Sequence, residues 1–209
     1  MNSFQLRDNL RKTYNKYAQE RETYSMPDWK IELRSNFVSL LQKENKKTLL
    51  EIGAGTGRDS KFFQDQGLDV VCIDLSPAIV ELCKQKGLTA YVMDMADIQF
   101  PANSFDAVYS MNSLLHLPKA EFPLVLRAVD RLLKPDGVVF IGIYGGLDHE
   151  GVWENDSYEP KRFFSFFTEE HLKQEITRVF DIISVESTRP EPDDNLDFQW
   201  LVLRKKAWS

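Results

Sequence analysis

An α/β fold with a mostly parallel sheet is predicted by three features of the chain. From Leu49 onward, short apolar runs of strand length alternate with longer segments of helical spacing, the arrangement that covers both faces of a parallel sheet. The first of these runs leads straight into a glycine turn, Thr48-Leu49-Leu50-Glu51-Ile52-Gly53-Ala54-Gly55-Thr56-Gly57-Arg58. A later run, Val138 to Tyr144, is wholly apolar, as strands at a sheet centre are.

Taken in order, Leu49 to Ile52 reads as the first strand, and Arg58 to Gln66 as a helix closed by Gly67. Asp69 to Ile73 is the second strand, ending at Asp74. Ser76-Pro77 supplies an N-cap and first-turn pair for a helix that runs to Lys86 and stops at Gly87. Ala90 to Met93 is a short third strand and Phe105 to Met111 a fourth. Phe122, Val125, Leu126, Val129, Leu132 and Leu133 keep a spacing of three and four, which predicts a helix ended by Lys134-Pro135-Asp136-Gly137. After the fifth strand, Thr168 is the expected cap of a last helix. Runs at Phe180 to Glu186 and Phe198 to Leu203 are joined by Ser187 to Asp197 and should pair antiparallel. The first forty-odd residues lie outside the alternation and read as two helices packed on the sheet.

Length and composition bound the function. With 209 residues, 43% of them hydrophobic, the chain is expected to form one domain spanning 1–209. Within it, 1–45 form a helical cap, 46–145 the core, and 146–209 a loop, a helix and a terminal hairpin. A formal charge of −6 provides no footprint for a nucleic-acid backbone, so no nucleic-acid partner is expected. The N-terminus meets charge too early for a secretory signal, and no run of about eighteen apolar residues occurs. A cytoplasmic protein without a membrane partner is expected, either a monomer or a homodimer. Cys72 and Cys83 show neither C-x-x-C nor metal-ligand spacing and read as buried free thiols. His149, Glu150, Glu154 and Asp156 share a loop, but no H-x-E or H-x-x-H spacing supports a metal.

Gly53, Gly55 and Gly57 permit positive φ and close approach of backbone to a ligand, and the following helix aims its N–H groups at the turn. A nucleotide-like cofactor fits. The dinucleotide fingerprint G-x-G-x-x-G would place its third glycine where Arg58 stands; here the glycines run G-x-G-x-G, with Glu51 two residues ahead. On these residues the chain resembles the class I S-adenosylmethionine-dependent methyltransferases of small-molecule type, whose first motif reads hh[D/E]hGxGxG. Asp74, Asp94 and the Lys-Pro-Asp-Gly corner follow in the order of that family, and the resemblance is strong over about 46–145.

The resemblance implies a Rossmann-like three-layer sandwich whose seven strands run in the order 3-2-1-4-5-7-6, with an antiparallel C-terminal strand and the N-terminal helices as a cap over the cofactor. It implies S-adenosylmethionine as cofactor, S-adenosylhomocysteine as product, and methyl transfer to a small-molecule oxygen, nitrogen or sulfur by in-line displacement. Asp74 would accept from both ribose hydroxyls, Asp94 from the adenine amino group, and Leu75 and Met95 would pack on the sugar and ring. Glu51 would answer the cofactor ammonium or orient the glycine loop, while Gly53, Ala54, Gly55 and Gly57 would carry the methionine part. Arg58 either pairs with the cofactor carboxylate or points to solvent. Met111 and Asn112 close the fourth strand where donor and acceptor meet. Tyr17 belongs to Tyr14-Asn15-Lys16-Tyr17-Ala18, which is similar to the family's Tyr-Asp-x-x-Ala element with Asn15 in place of the acid.

If the acceptor must lose a proton, His116 is the best-placed base; packing is its other reading. Tyr144, Trp153 and Arg162 are candidates for the substrate side, in an aromatic loop that reads as a lid. Two other functions compete with methyl transfer: a nicotinamide-dependent oxidoreductase, and a non-catalytic module that binds adenosylmethionine.

Overall fold

Strand periodicity explains the three layers found in the computed structural model, which describes residues 2–190 and 195–207. Leu49, Ala107, Tyr109, Val138 and Phe140 turn to one face of the sheet, while Leu50, Ile52, Val108, Val139 and Ile141 turn to the other. The first set packs against Phe37, Val38 and Leu41 of α2 (Asp28–Lys43) and Phe63 of α3 (Arg58–Asp65). The second set packs against Phe122, Val125, Leu126 and Val129 of α5 (Phe122–Leu132) and Leu172 and Ile176 of α6 (Glu169–Thr177). Tyr109 and Phe140 stack at 4.8 Å and Phe37 meets Phe140 at 5.6 Å, so an aromatic column joins sheet to helix.

The sheet contains β1 (Thr48–Ile52), β2 (Asp69–Asp74), β3 (Thr89–Val92), β4 (Phe105–Met111), β5 (Leu133–Gly145), β8 (Phe180–Thr188) and β9 (Asp197–Lys205). Its order is β3-β2-β1-β4-β5-β9-β8. The first five strands are parallel, and β9 runs antiparallel to both β5 and β8. Counting only the seven sheet strands, this is the order 3-2-1-4-5-7-6, so the Rossmann-like sandwich is present. The strand labels move on by two because β6 (His149–Val152) and β7 (Phe163–Phe166) form their own hairpin, which the sequence reading treated as loop. Each has four residues, and ten others separate them, so neither carries a readable period.

Three boundaries differ from expectation. The third strand sits one residue earlier, at Thr89–Val92. The fifth extends back through the Lys-Pro-Asp-Gly corner: Leu133 already pairs with Phe105, and the register slips before Val138 pairs with Ala107. Asp136 takes φ 60° in that bulge. The two terminal strands are longer, and the middle of their connection, 191–194, lies outside the described residues.

Two helices form the N-terminal segment, as expected. In α1 (Ser3–Glu22), Asn2 accepts from the backbone N–H of Gln5 at 3.0 Å, and the Gln5 side chain answers the Asn2 N–H at 3.1 Å, a reciprocal capping box. Ser76 caps α4 (Pro77–Gln85) by accepting from the Ile79 N–H at 3.2 Å, and Thr168 caps α6 through the His171 N–H at 3.2 Å. Cys72 and Cys83 are buried free thiols.

Asp106 ties β1 to β4 at the end of the sheet away from the glycine turn. One of its oxygens accepts from the Lys47 and Thr48 N–H groups at 3.0 and 2.9 Å, from the Thr48 hydroxyl at 2.8 Å and from Lys134 Nζ at 3.1 Å. Burial pushes against the charge, but these donors outweigh it and bring the pKa down from 3.8 to about 2. Its stabilisation is therefore complete above pH 3.8 and is lost as pH falls through about 2. Asp106→Ala should lower the unfolding free energy by about 1–3 kcal/mol at neutral pH through the stranded donors. Urea unfolding checks this, and an unchanged midpoint would contradict it.

Candidate functional site

A cavity of about 300 Å³ opens at the C-terminal ends of β1, β2 and β4, where open α/β sheets place their ligands. The glycine turn forms its floor. Gly53 and Ala54 both donate to the Ile73 carbonyl, at 2.9 and 3.0 Å, and Gly57 donates to Ala54 at 3.0 Å. All three glycines have positive φ, for different reasons. A Cβ on Gly53 would lie 1.9 Å from Ser113 Oγ, and one on Gly57 would lie 2.9 Å from Cys83 Sγ, so both are squeezed by protein. A Cβ on Gly55 would meet nothing within 4 Å; it would project into open space beside a cavity whose wall Gly55 forms. Gly57 itself does not line the cavity.

Around this bend stand two buried acids, Glu51 and Asp59, and the half-buried Asp74. Glu51 is 2% exposed and accepts from the Ser60 hydroxyl; burial, then the neighbouring Asp59, raise its pKa well above 4.5. Asp59, in the first turn of α3, is raised by burial in spite of Arg34 of α2, which donates to it at 2.9 Å. Asp74 accepts from the N–H groups of Gly55 at 3.1 Å and Ser76 at 2.9 Å, yet burial still raises its pKa from 3.8 to about 6. Each acid has too few donors for its burial.

The opposite wall is α1. Ser3, Leu6, Leu10, Tyr14 and Arg21 line the cavity from one helix face, together with Arg7. Arg7 bonds Asp94 at 2.6 Å and also Glu121, so the expected adenine acceptor already shares one oxygen with an arginine, while its other oxygen accepts from the Ala96 N–H at 2.9 Å. Asn15 accepts from the Ser76 hydroxyl at 2.6 Å and the Ala78 N–H at 3.1 Å, holding α1 on the start of α4. Arg58 lines the cavity, but its Nη2 donates to the Arg21 and Glu22 carbonyls at 3.0 and 2.6 Å, where α1 ends. It fastens the wall instead of pointing to solvent.

His116 lies in a short 3-10 turn after β4 and is 8% exposed. Its Nδ1 sits 2.8 Å from the Phe163 carbonyl, an acceptor only, so Nδ1 carries the proton and Nε2 accepts from the Tyr14 hydroxyl at 2.7 Å. Burial brings its pKa down from 6.5 to about 3, and Arg162 and Arg21 push the same way. A histidine expected as a free base is neutral, with both nitrogens engaged. The group it presents to the cavity is the Tyr14 phenol, on which Arg162 Nη1 also donates at 3.2 Å.

Of the residues singled out from the sequence, Glu51, Gly53, Ala54, Gly55, Arg58, Asp74, Leu75, Asp94, Met95, Met111, Asn112 and His116 line this cavity. Four other expected residues are absent from its wall. Tyr17 lies about 60° round α1 from Tyr14 and stacks on Tyr158 at 4.4 Å. Trp153 packs on His149 and Phe166 of the β6–β7 hairpin, at 5.1 and 5.2 Å. Arg162 makes a two-pronged pair with Asp156, at 2.7 and 2.9 Å, and supports Tyr14 from behind. Tyr144 packs edge-on to Phe198 at 5.2 Å. The sequence reading missed Arg7, Arg21, Lys30, Asp59 and Phe163 as wall residues. Arg21 follows Tyr14 by two helical turns, a periodicity that would have found it; Lys30 and Phe163 carry no such signal.

The fold and site define a class I methyltransferase-type α/β domain. Residues 50–141 match the methyltransferase domain family. Phosphoethanolamine N-methyltransferase of Plasmodium falciparum is 24% identical over 155 residues, 70% of this chain and 58% of that protein. Ubiquinone biosynthesis O-methyltransferase of Xanthomonas oryzae pv. oryzae is 33% identical over 118 residues, 52% and 48% of the two lengths. The chain thus covers less than two thirds of the length of these curated relatives. Among solved structures, Burkholderia thailandensis 1,6-didemethyltoxoflavin-N1-methyltransferase, crystallised with 1,6-didemethyltoxoflavin and S-adenosylhomocysteine, superposes with a TM-score of 0.75 at 20% identity, covering 99% of this chain and 92% of that one. The [4+2]-cyclase SpnF superposes at 0.62 with 19% identity, over 76% of this chain and 74% of its own, so this architecture also hosts other chemistry.

In the ligand-free protein, ionising Asp74 opposes folding, because its folded pKa of about 6 lies above the ordinary 3.8. Stability should fall as pH rises from about 4 to about 6 and then level off. Asp74→Asn should remove that fall, leaving the ligand-free variant at least as stable as the parent at pH 8. Thermal unfolding across pH tests it; a variant that loses stability at pH 8 would show that the acid is satisfied without a ligand.

Proposed function

We propose that this protein transfers a methyl group from S-adenosylmethionine to a small-molecule acceptor, releasing S-adenosylhomocysteine. The observation that carries this reading is the set of under-supplied strand-tip acids beside the open cradle at Gly55. Adenosylmethionine brings what they lack: an ammonium group, two ribose hydroxyls and an adenine amino group are all donors. A dinucleotide would instead bring a pyrophosphate against these carboxylates, which argues against the oxidoreductase. The family match and the methyltransferase names of the relatives support the same reading.

In this mechanism Asp74 takes the ribose hydroxyls on its remaining lone pairs, Glu51 faces the ammonium, and Asp94 with Met95 receives the adenine. Gly55 leaves room for the methionine part. When bound, the cofactor supplies an electrophilic methyl carbon on sulfur. Asn112 follows β4 with φ 55°, and its buried Oδ1 has no hydrogen-bond partner among the described residues, so it is available to orient the acceptor's N–H or O–H. Tyr14, whose hydroxyl proton is held by Nε2 of neutral His116, presents its oxygen to the acceptor's N–H or O–H. Alignment inside a small enclosed cavity provides most of the rate for a displacement with so good a leaving group, a contribution of about 7–11 kcal/mol in favourable cases. Because α1 walls the cavity jointly with the sheet, the cap, the core and the terminal hairpin act as one catalytic unit over 1–209. The acceptor is not a nucleic acid, in keeping with a formal charge of −6. Among the described residues no helix is long and apolar enough to cross a membrane, and the protein works in the cytoplasm.

Calorimetry with S-adenosylhomocysteine tests the cofactor assignment. Because the ribose hydroxyls favour the ionised carboxylate, affinity should rise with pH up to about 6 and then level off, with protons released at pH 5.5. Asp74→Asn should weaken binding by about 1–3 kcal/mol. Wild-type protein that does not bind would overturn the assignment.

His116 makes a separate demand on the kinetics. With its pKa near 3, it contributes no titration between pH 5 and 8, so His116→Asn and wild type should share the same profile shape with labelled methyl donor. A wild-type limb near 6.5 that vanishes in the variant would restore the histidine as a free base.

A further inference from the structure

Lys30 is a cavity-lining cation whose position the cofactor reading leaves unexplained. Its ammonium sits among three aromatic faces from three elements: Trp29 of α2 at 5.0 Å, Tyr144 of β5 at 5.1 Å and Phe198 of β9 at 5.1 Å. Among the described residues no carboxylate lies within ion-pair distance of it. Asp59 is the acid that acts on it, and Asp59 is committed to Arg34 at 2.9 Å. The other charged group that faces it is Arg21 of α1, which repels it and whose buried Nε has no hydrogen-bond partner among the described residues. Arg21 and Lys30 thus both line the cavity, and among the described residues Lys30 holds no anion of the protein. Partial burial is the main reason the Lys30 pKa falls from 10.5 to about 8, which leaves it mostly charged at neutral pH.

We propose that Lys30 holds an anionic oxygen group of the methyl acceptor, a carboxylate or a phosphate, and so selects acidic acceptors. The proposal rests on the methyl-transfer reading and specifies its substrate class. Its contacts with Tyr144 and Phe198 set Lys30 against the ends of β5 and β9, which stand three and four strands from β2 in the sheet order. Three rings around the ammonium favour the charged form that binds an anion, whereas a proton acceptor would need the neutral one.

The test uses full-length protein loaded with S-adenosylhomocysteine, titrated with inorganic phosphate and with acetate at about pH 7 and about pH 9.5, beside Lys30→Met and Lys30→Arg. Binding of at least one anion at pH 7 is expected, weakened about tenfold in Lys30→Met and at the higher pH, and kept in Lys30→Arg. S-adenosylhomocysteine should bind wild type and Lys30→Met alike, which also shows that the variant is folded. Phosphate binding alone would mark the acceptor group as a phosphate, and acetate binding as a carboxylate. The proposal is overturned if neither anion binds the loaded wild type, or if Lys30→Met binds them equally well. It is also overturned if the variant loses S-adenosylhomocysteine instead, which would give Lys30 to the cofactor carboxylate. Wild type that fails to bind S-adenosylhomocysteine would sink the methyl-transfer reading itself, a separate result.

Discussion

Acids withdrawn from water at the tips of two parallel strands, Glu51 wholly and Asp74 in part, are the constraint on which the rest of the site depends. Glu51 and Asp74 end β1 and β2, and Asp59 opens the helix between them. All three are raised in pKa chiefly by burial, so the folded chain carries an electrostatic cost that its own donors do not offset. Such a cost persists where the surrounding fold over-determines it. Here the aromatic column of Phe37, Tyr109 and Phe140 below, and the tight Gly53–Ser113 contact beside, leave the tips nowhere to move. A cationic, donor-rich ligand is what relieves it.

The N-terminal helix is part of the same device. Arg7, Asn15 and Tyr14 each fasten α1 to a different segment of the core, and Arg58 closes its C-terminus. None of these contacts is a large hydrophobic interface. Buried Ala18 and the ring of Tyr14 add apolar packing against Ile79, Val80 and Cys83 of α4, so polar and apolar contacts together hold the wall. His116 shows the cost of reading such a residue alone. Its place after β4 suggests a base, but a carbonyl on one side and a phenol on the other make it the neutral support of Tyr14.

Much of the architecture could be read from the chain. Strands from Leu49 to Met111, their helices and both side-chain caps depend on neighbours close in sequence, and each was legible with shifts of a residue or so at the ends. The β6–β7 hairpin was not, because strands of four residues have too few positions to show a period. The slip at the Lys-Pro-Asp-Gly corner was also hidden, since it is decided by pairing between Phe105 and Leu133 on different segments. Likewise, Trp153 and Arg162 looked like substrate residues from aromatic density alone, but the fold turns them to the hairpin and to Asp156.

The sequence by itself determined the glycine bend, the acids that follow it at strand ends, and hence the kind of ligand the bend receives, because backbone freedom and strand alternation act over a few residues. Tertiary structure decided which side chains share the cavity: that Tyr14 and not Tyr17 faces it, that Arg58 braces a helix, and that Lys30 meets Tyr144 and Phe198 from distant strands. Those outcomes depend on how helices rotate and where strands register when they pack, and packing joins residues that no local pattern relates.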